Sequence, residues 1–144
     1  MRALLTILKP WIAALWWGSL CCIGFLVVPM LFAYLPSKAI AGNMAAHLFS
    51  AQTWIAVVCG LLLMLQERSE LKPGADEVPA RALWPVVLSA MLLALLSEWG
   101  VAPHIVARDN LALWHSLGTL LYLLQWVCAT LTLKRSWPRA ARAA

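Results

Sequence analysis

The chain has 144 residues, of which 63% are hydrophobic and only 12% charged. A soluble domain is near half apolar and a quarter charged, and a disordered chain has the opposite balance, so both classes are excluded. The net charge of +5 comes from 11 Lys and Arg against 6 Asp and Glu; in so apolar a chain, basic residues signal orientation in a membrane and call for no nucleic acid.

Apolar stretches predict four transmembrane helices, near residues 11–35, 48–66, 82–102 and 111–133. Each is close to the roughly 20 helical residues that cross a hydrocarbon core about 30 Å thick. None alternates as a barrel strand would. The expected fold is therefore an all-α integral membrane protein, an antiparallel four-transmembrane-helix bundle filling residues 1–144 as one domain. The first span follows Arg2 and Lys9, as a signal peptide would, but its apolar run is too long and has no small-x-small cleavage site. It reads as an uncleaved first helix, kinked at Pro29. After it, Ser37 can cap a helix start, and Ile40, Met44 and Leu48 recur every four residues. This predicts a short interfacial helix between helices 1 and 2, bent at Gly42. Lys72-Pro73-Gly74 marks a turn, with Asp76 and Glu77 leading into span three. Pro103–Asn110 reads as a short loop, with His104 solvated. Residues 134–144 form a basic tail suited to anionic lipids.

Nine basic residues fall on one side of these spans: Arg2, Lys9, Arg68, Lys72, Arg81, Lys134, Arg135, Arg139 and Arg142. The other side has Lys38 and Arg108. That asymmetry predicts an inner (plasma) membrane protein with both termini in the cytoplasm. Tryptophans mark the same depths, with Trp11, Trp84 and Trp137 at the inner edge and Trp54, Trp99 and Trp114 at the outer edge. Trp16, Trp17 and Trp126 lie deeper and are expected between helices.

Small and polar residues identify the faces that meet in a membrane bundle. They are Gly18 and Cys22 in span one, and Gln52, Ala56, Cys59 and Gln66 in span two. Span three offers Ala90, Ala94 and Glu98. Span four offers His115, Gly118, Tyr122, Gln125 and Ala129. The cysteines, Cys21, Cys22, Cys59 and Cys128, all lie inside spans and read as small packing residues without a disulfide framework.

Glu98 is the one formally charged residue within a predicted span, about 6 Å below its outer end. Such carboxylates are costly and mark either function or a specific partner. His115 lies equally deep in span four, symmetric about the short loop. A hydrogen-bonded Glu98–His115 pair is expected just under the outer surface, as a structural pin or as a ligand site. All three histidines, His47, His104 and His115, fall in the outer half. Imidazole and thioether suit copper, which makes His47, Met44 and His115 the candidate metal ligands, with Met30 on the same side. Two facing histidines could also ligate haem. No cofactor is required by the sequence, and copper and haem stay open. Nucleophile-elbow, phosphate-loop and zinc-protease motifs are absent, so an enzyme is not expected.

In chain order, Trp17-Gly18, Val28-Pro29-x-Leu31-Phe32, Leu35-Pro36, Ala41-Gly42, Leu48-Phe49, Pro103 and Trp114-His115-Ser116-Leu117-Gly118 form a set. With these, residues 12–133 resemble the transmembrane protein 205-like family, catalogued as domain of unknown function 4149. The resemblance implies a four-helix integral membrane protein in which His115 is a family-like position; it supplies no catalytic residues or substrate. Tyr122 departs from it, standing where a more Asn-like residue is expected. Three functions stay open. One is a structural or accessory membrane protein, acting as a homo-oligomer or with a partner membrane protein. Another is binding or transport of a metal cation or small ligand at the outer Glu98–His115 site. The third is a haem- or quinone-linked membrane oxidoreductase.

Overall fold

The structure is a computed structural model that describes residues 2–70 and 82–137. The turn at Lys72-Pro73-Gly74, Arg81, the acids Asp76 and Glu77, and Arg139 and Arg142 of the tail lie outside the described residues. Four rods make up the described chain. Helix α1 is Arg2–Cys21, continued through a π turn at Cys22–Val27 into Val28–Tyr34. Helix α2 is Lys38–Glu70. Helix α3 is Trp84–Leu96, continued through a second π turn at Ser97–Val101 into Ala102–Val106. Helix α4 is Leu111–Ser136. Each is long and apolar enough to cross a membrane, over Ile7–Tyr34, Lys38–Arg68, Trp84–Val106 and Leu111–Ser136. The protein is a multi-pass membrane protein with an all-α, four-helix architecture.

The rods stand in a ring. Helix α1 packs on α2 and α4, α3 packs on α2 and α4, and the backbones of the diagonal pairs do not approach closely. Neighbours run antiparallel. Trp17 donates to Thr130 across α1 and α4 while Tyr122 donates to the Leu20 carbonyl further along. Glu67 meets Leu83 at one end of the α2–α3 pair and Ser50 meets Glu98 towards the other. One end of the bundle therefore holds the start of α1 and the end of α4, and the other holds the turns at 35–37 and 107–110.

Ser37 caps α2: its Oγ accepts the Ile40 amide at 3.2 Å. The expected interfacial helix is the first turns of α2 itself, which runs without interruption past Gly42. A glycine lowers helix propensity by about 1 kcal/mol, too little to break a helix of this length held by its neighbours. Proline explains both π turns. Pro29 and Pro103 lack an N–H, and their rings crowd the carbonyl four residues back. In each case a widened turn precedes the proline, so the rod continues through it. For that reason α3 runs on through Pro103 and His104, which are helical and not in a loop. The His104 ring stacks on Trp114 at 4.0 Å and its Nδ1 lies 3.5 Å from Asp109, so it is held against the α3–α4 turn.

The tight core lies towards the end that carries the termini. It is built from Ala13, Trp16 and Leu20 of α1, Ala56, Cys59 and Leu63 of α2, Val87, Ala90 and Ala94 of α3, and Ala129 of α4. Small side chains let the backbones approach, which drives helix association where lipid removes any hydrophobic advantage. The stripes expected on α2, α3 and α4 face inward. The one on α1 does not: Cys22 is exposed, and Gly18 has open space where a Cβ would stand. The buried face of α1 is Ala13, Trp16 and Leu20. Trp16 lies between helices as its depth predicts, and it supplies volume opposite the alanines of its neighbours, where a stripe of small residues selects Gly18 and Cys22 instead. Trp17 and Trp126 also bond between helices, Trp126 through Nε1 to Cys21 Sγ at 3.2 Å. In contrast, Trp11, Trp54, Trp84, Trp99 and Trp137 face away from the bundle. All four cysteines are free.

Candidate functional site, a polar cavity between the four helices

Beyond Leu20 and Ala94 the bundle opens into a cavity of 380 Å³. Every helix contributes a wall. Gly24, Phe25 and Val28 come from α1 and Phe49, Gln52 and Thr53 from α2. On α3 the wall is formed by Ser97, Glu98, Val101 and Ile105, and on α4 by His115, Thr119, Tyr122 and Gln125. Both π turns border it. The first brings Gly24 under the Tyr122 ring, so closely that a Cβ at Gly24 would overlap the ring. The Tyr122 hydroxyl then donates to the Leu20 carbonyl at 2.8 Å. A side chain that intrudes on a helix's own ladder is a recognised cause of such local unwinding. Phe49 meets the Tyr122 ring edge-on, with centroids 5.3 Å apart.

The second π turn carries Glu98. Its Oε1 accepts from Ser50 Oγ at 2.7 Å, a bond that ties α3 to α2. Among the described residues no hydrogen bond or ion pair joins Glu98 to His115. The expected direct pair is not formed because Glu98 engages the α2 side of the cavity. His115 stands on α4, exposed at the cavity's edge. The two residues share a cavity and do not share a bond. His115 also does not meet the other metal candidates: His47 and Met44 are exposed on α2 and are not among the lining residues. No group of three His, Cys, Asp or Glu side chains able to hold a metal occurs among the described residues.

Two lining residues stand out chemically. Gln52 is 2% exposed and Gln125 is 3% exposed. Neither the carbonyl oxygen nor the amide nitrogen of Gln52 has a hydrogen-bond partner, and the Gln125 amide nitrogen has none. An unmet buried amide costs about 1–3 kcal/mol on protein scales. Three unmet atoms thus border one cavity, where a hydrogen-bonding occupant would complete them, while Trp16 Nε1 is unmet in the packed core. Both glutamines were visible in the sequence as members of inward stripes. Their lack of partners was not, because it depends on how far apart α2 and α4 stand.

Residues 11–113 match the family model described as domain of unknown function (DUF4149). The match takes in α1, α2 and α3 and stops two residues short of His115, so it does not extend over the family-like position expected there. No curated protein and no solved structure matches the chain.

Proposed function

This chain belongs to the DUF4149 family, and on that premise we propose that it is a small-ligand-binding membrane protein whose bundle cavity is the binding site. The observation that carries this reading is the pair of buried glutamines with unmet amide atoms on opposite walls of one cavity. Glu98, positioned by Ser50, supplies a carboxylate at the rim. His115, on the neighbouring helix α4, adds an imidazole to the same cavity. Kinship to the transmembrane protein 205-like proteins rests on the ordered motif pieces of α1, α2 and α3, together with the segment around His115.

The test is to purify the protein in mild detergent and to record its absorption spectrum, its metal content and the mass spectrum of an organic extract. The expected result is one organic molecule per chain, lost from the Gln52→Leu/Gln125→Leu double variant. A haem Soret band or a stoichiometric metal would replace this reading with a redox or metal one. An empty extract from a folded, monodisperse protein would leave the structural role, with Ser50–Glu98 as a pin between α2 and α3.

The orientation follows from charge. Nine of the eleven basic residues lie, along the sequence, before the first span, between the second and third or after the fourth, and this supports a reading in which both termini are cytoplasmic in an inner-membrane protein. A reporter that is active only outside the cytoplasm, fused at the C-terminus, is expected to stay silent. The same reporter inserted at Arg108 is expected to be active.

A further inference from the structure

The cavity is not closed on all four sides. Helix α4 approaches α1 closely only along Arg2–Cys21; it makes no close backbone contact with the π turn or with Val28–Tyr34. In that same stretch the backbone of α1 comes close to α2 alone. Side chains bridge the start of the gap: Tyr122 reaches over Gly24, and Phe25 meets Trp126 edge-on at 5.7 Å. Past them the two helices part. Of the lining residues, Phe25 on α1 and His115, Thr119 and Leu123 on α4 are exposed, and they form the lips of the opening. In a chain with four membrane-crossing helices, a side opening between two spans faces the bilayer rather than water.

The walls restrict the occupant further. Among the described residues neither Lys nor Arg lines the cavity, and Glu98 is its one carboxylate. A phosphate head would meet a carboxylate with no Lys or Arg to offset either charge, an arrangement that low dielectric penalises heavily. The unmet atoms deep inside are the uncharged amides of Gln52 and Gln125, which offer both donors and an acceptor. Phe25, Val28 and Leu123 line the way out and match a hydrocarbon chain.

Resting on the reading of the cavity as a binding site, we infer that its ligand enters from the bilayer between α1 and α4 and is an amphiphile. Its uncharged head, bearing hydroxyl or carbonyl groups, binds Gln52 and Gln125, and its apolar tail leaves through the gap. An acylglycerol and an isoprenoid quinone both have this chemistry.

The test uses the full chain in lipid nanodiscs with three photoreactive, clickable probes of equal chain length. One is a monoacylglycerol, one a benzoquinone and one a lysophosphatidate. The expected result is saturable labelling of the peptides around Phe25–Val28 and Thr119–Leu123 by an uncharged probe, at least tenfold above the lysophosphatidate. Whichever of diacylglycerol and short-chain quinone competes identifies the source. Labelling should fall at least fivefold in Gln52→Leu/Gln125→Leu. It should fall likewise in Leu123→Trp, which fills the lip and leaves the amides intact, so that a folding defect in the double variant does not decide the matter. Equal labelling by charged and uncharged heads, or labelling untouched by either variant, marks ordinary boundary lipid and overturns the inference. If a water-soluble molecule is instead released from the purified protein and lost on removing the glutamines, the binding site stands and bilayer entry is wrong. If nothing is released and nothing labels saturably, both are wrong.

Discussion

The two halves of this bundle use the same four helices for opposite ends. Towards the termini, α1, α2, α3 and α4 close around Trp16, Leu20, Leu63 and a set of alanines, and every helix touches both neighbours. Towards the turns, α1 and α3 each pass through a π turn and a proline, α1 parts from α4, and a cavity with unmet amides takes the place of a core. The first half shows what small residues achieve in lipid, where close approach is the main source of cohesion. The tight half also leaves a polar atom unmet, Trp16 Nε1, but among packed side chains; in the second half the unmet amides of Gln52 and Gln125 border open volume, where an occupant can reach them.

Substitutions can sharpen or erase that contrast. The largest effect is expected in the tight half. Trp16→Ala empties a fully buried site and should lower stability by about 3 kcal/mol, read by denaturation in mixed micelles. Gly24→Ala is next, at about 1–3 kcal/mol, because the Tyr122 ring has no room to withdraw without losing its bond to the Leu20 carbonyl. The same variant should displace Tyr122, and loss of the co-purifying molecule would register the change in the cavity. In the open half the sign reverses. Gln52→Leu or Gln125→Leu should raise stability by about 1 kcal/mol each while abolishing ligand retention, since a buried group without a partner is removed. A loss of stability from both would show that the amides are satisfied and that the two halves are alike. The smallest effect is expected from Ser50→Ala, about 0.6 kcal/mol, the mean for interhelical hydrogen bonds in membranes. A far larger loss would mean that Glu98 depends on Ser50 for more than one bond.

Much of the inward surface could be read from residue spacing alone. Gln52, Ala56, Cys59 and Gln66 recur at helical intervals, as do Ala90, Ala94 and Glu98, and the α4 stripe from His115 to Ala129. Except at the exposed His115 rim, these residues face the core or the cavity. Helix α1 escaped this reading because its buried residues are large as well as small, and spacing by size favoured Gly18 and Cys22. The Glu98–His115 bond was inferred from equal depth and symmetry about a turn. Depth places two residues at one level and says nothing of direction around the helix. Glu98, at the start of the α3 π turn, meets Ser50 on α2, while His115 stands exposed on α4 without a bond to it.

Composition and spacing were thus sufficient for the spans, their number and the inward faces of α2, α3 and α4, because hydropathy and helical period are local properties of the chain. The uneven distribution of basic residues supports the proposed orientation by the same kind of local reading. Three things required the tertiary structure: the partner of Glu98, the unmet amides of Gln52 and Gln125, and the gap between α1 and α4. Each depends on the separation of residues far apart in sequence. A cavity is the difference between where helices stand and where their side chains end, and no single helix carries that information.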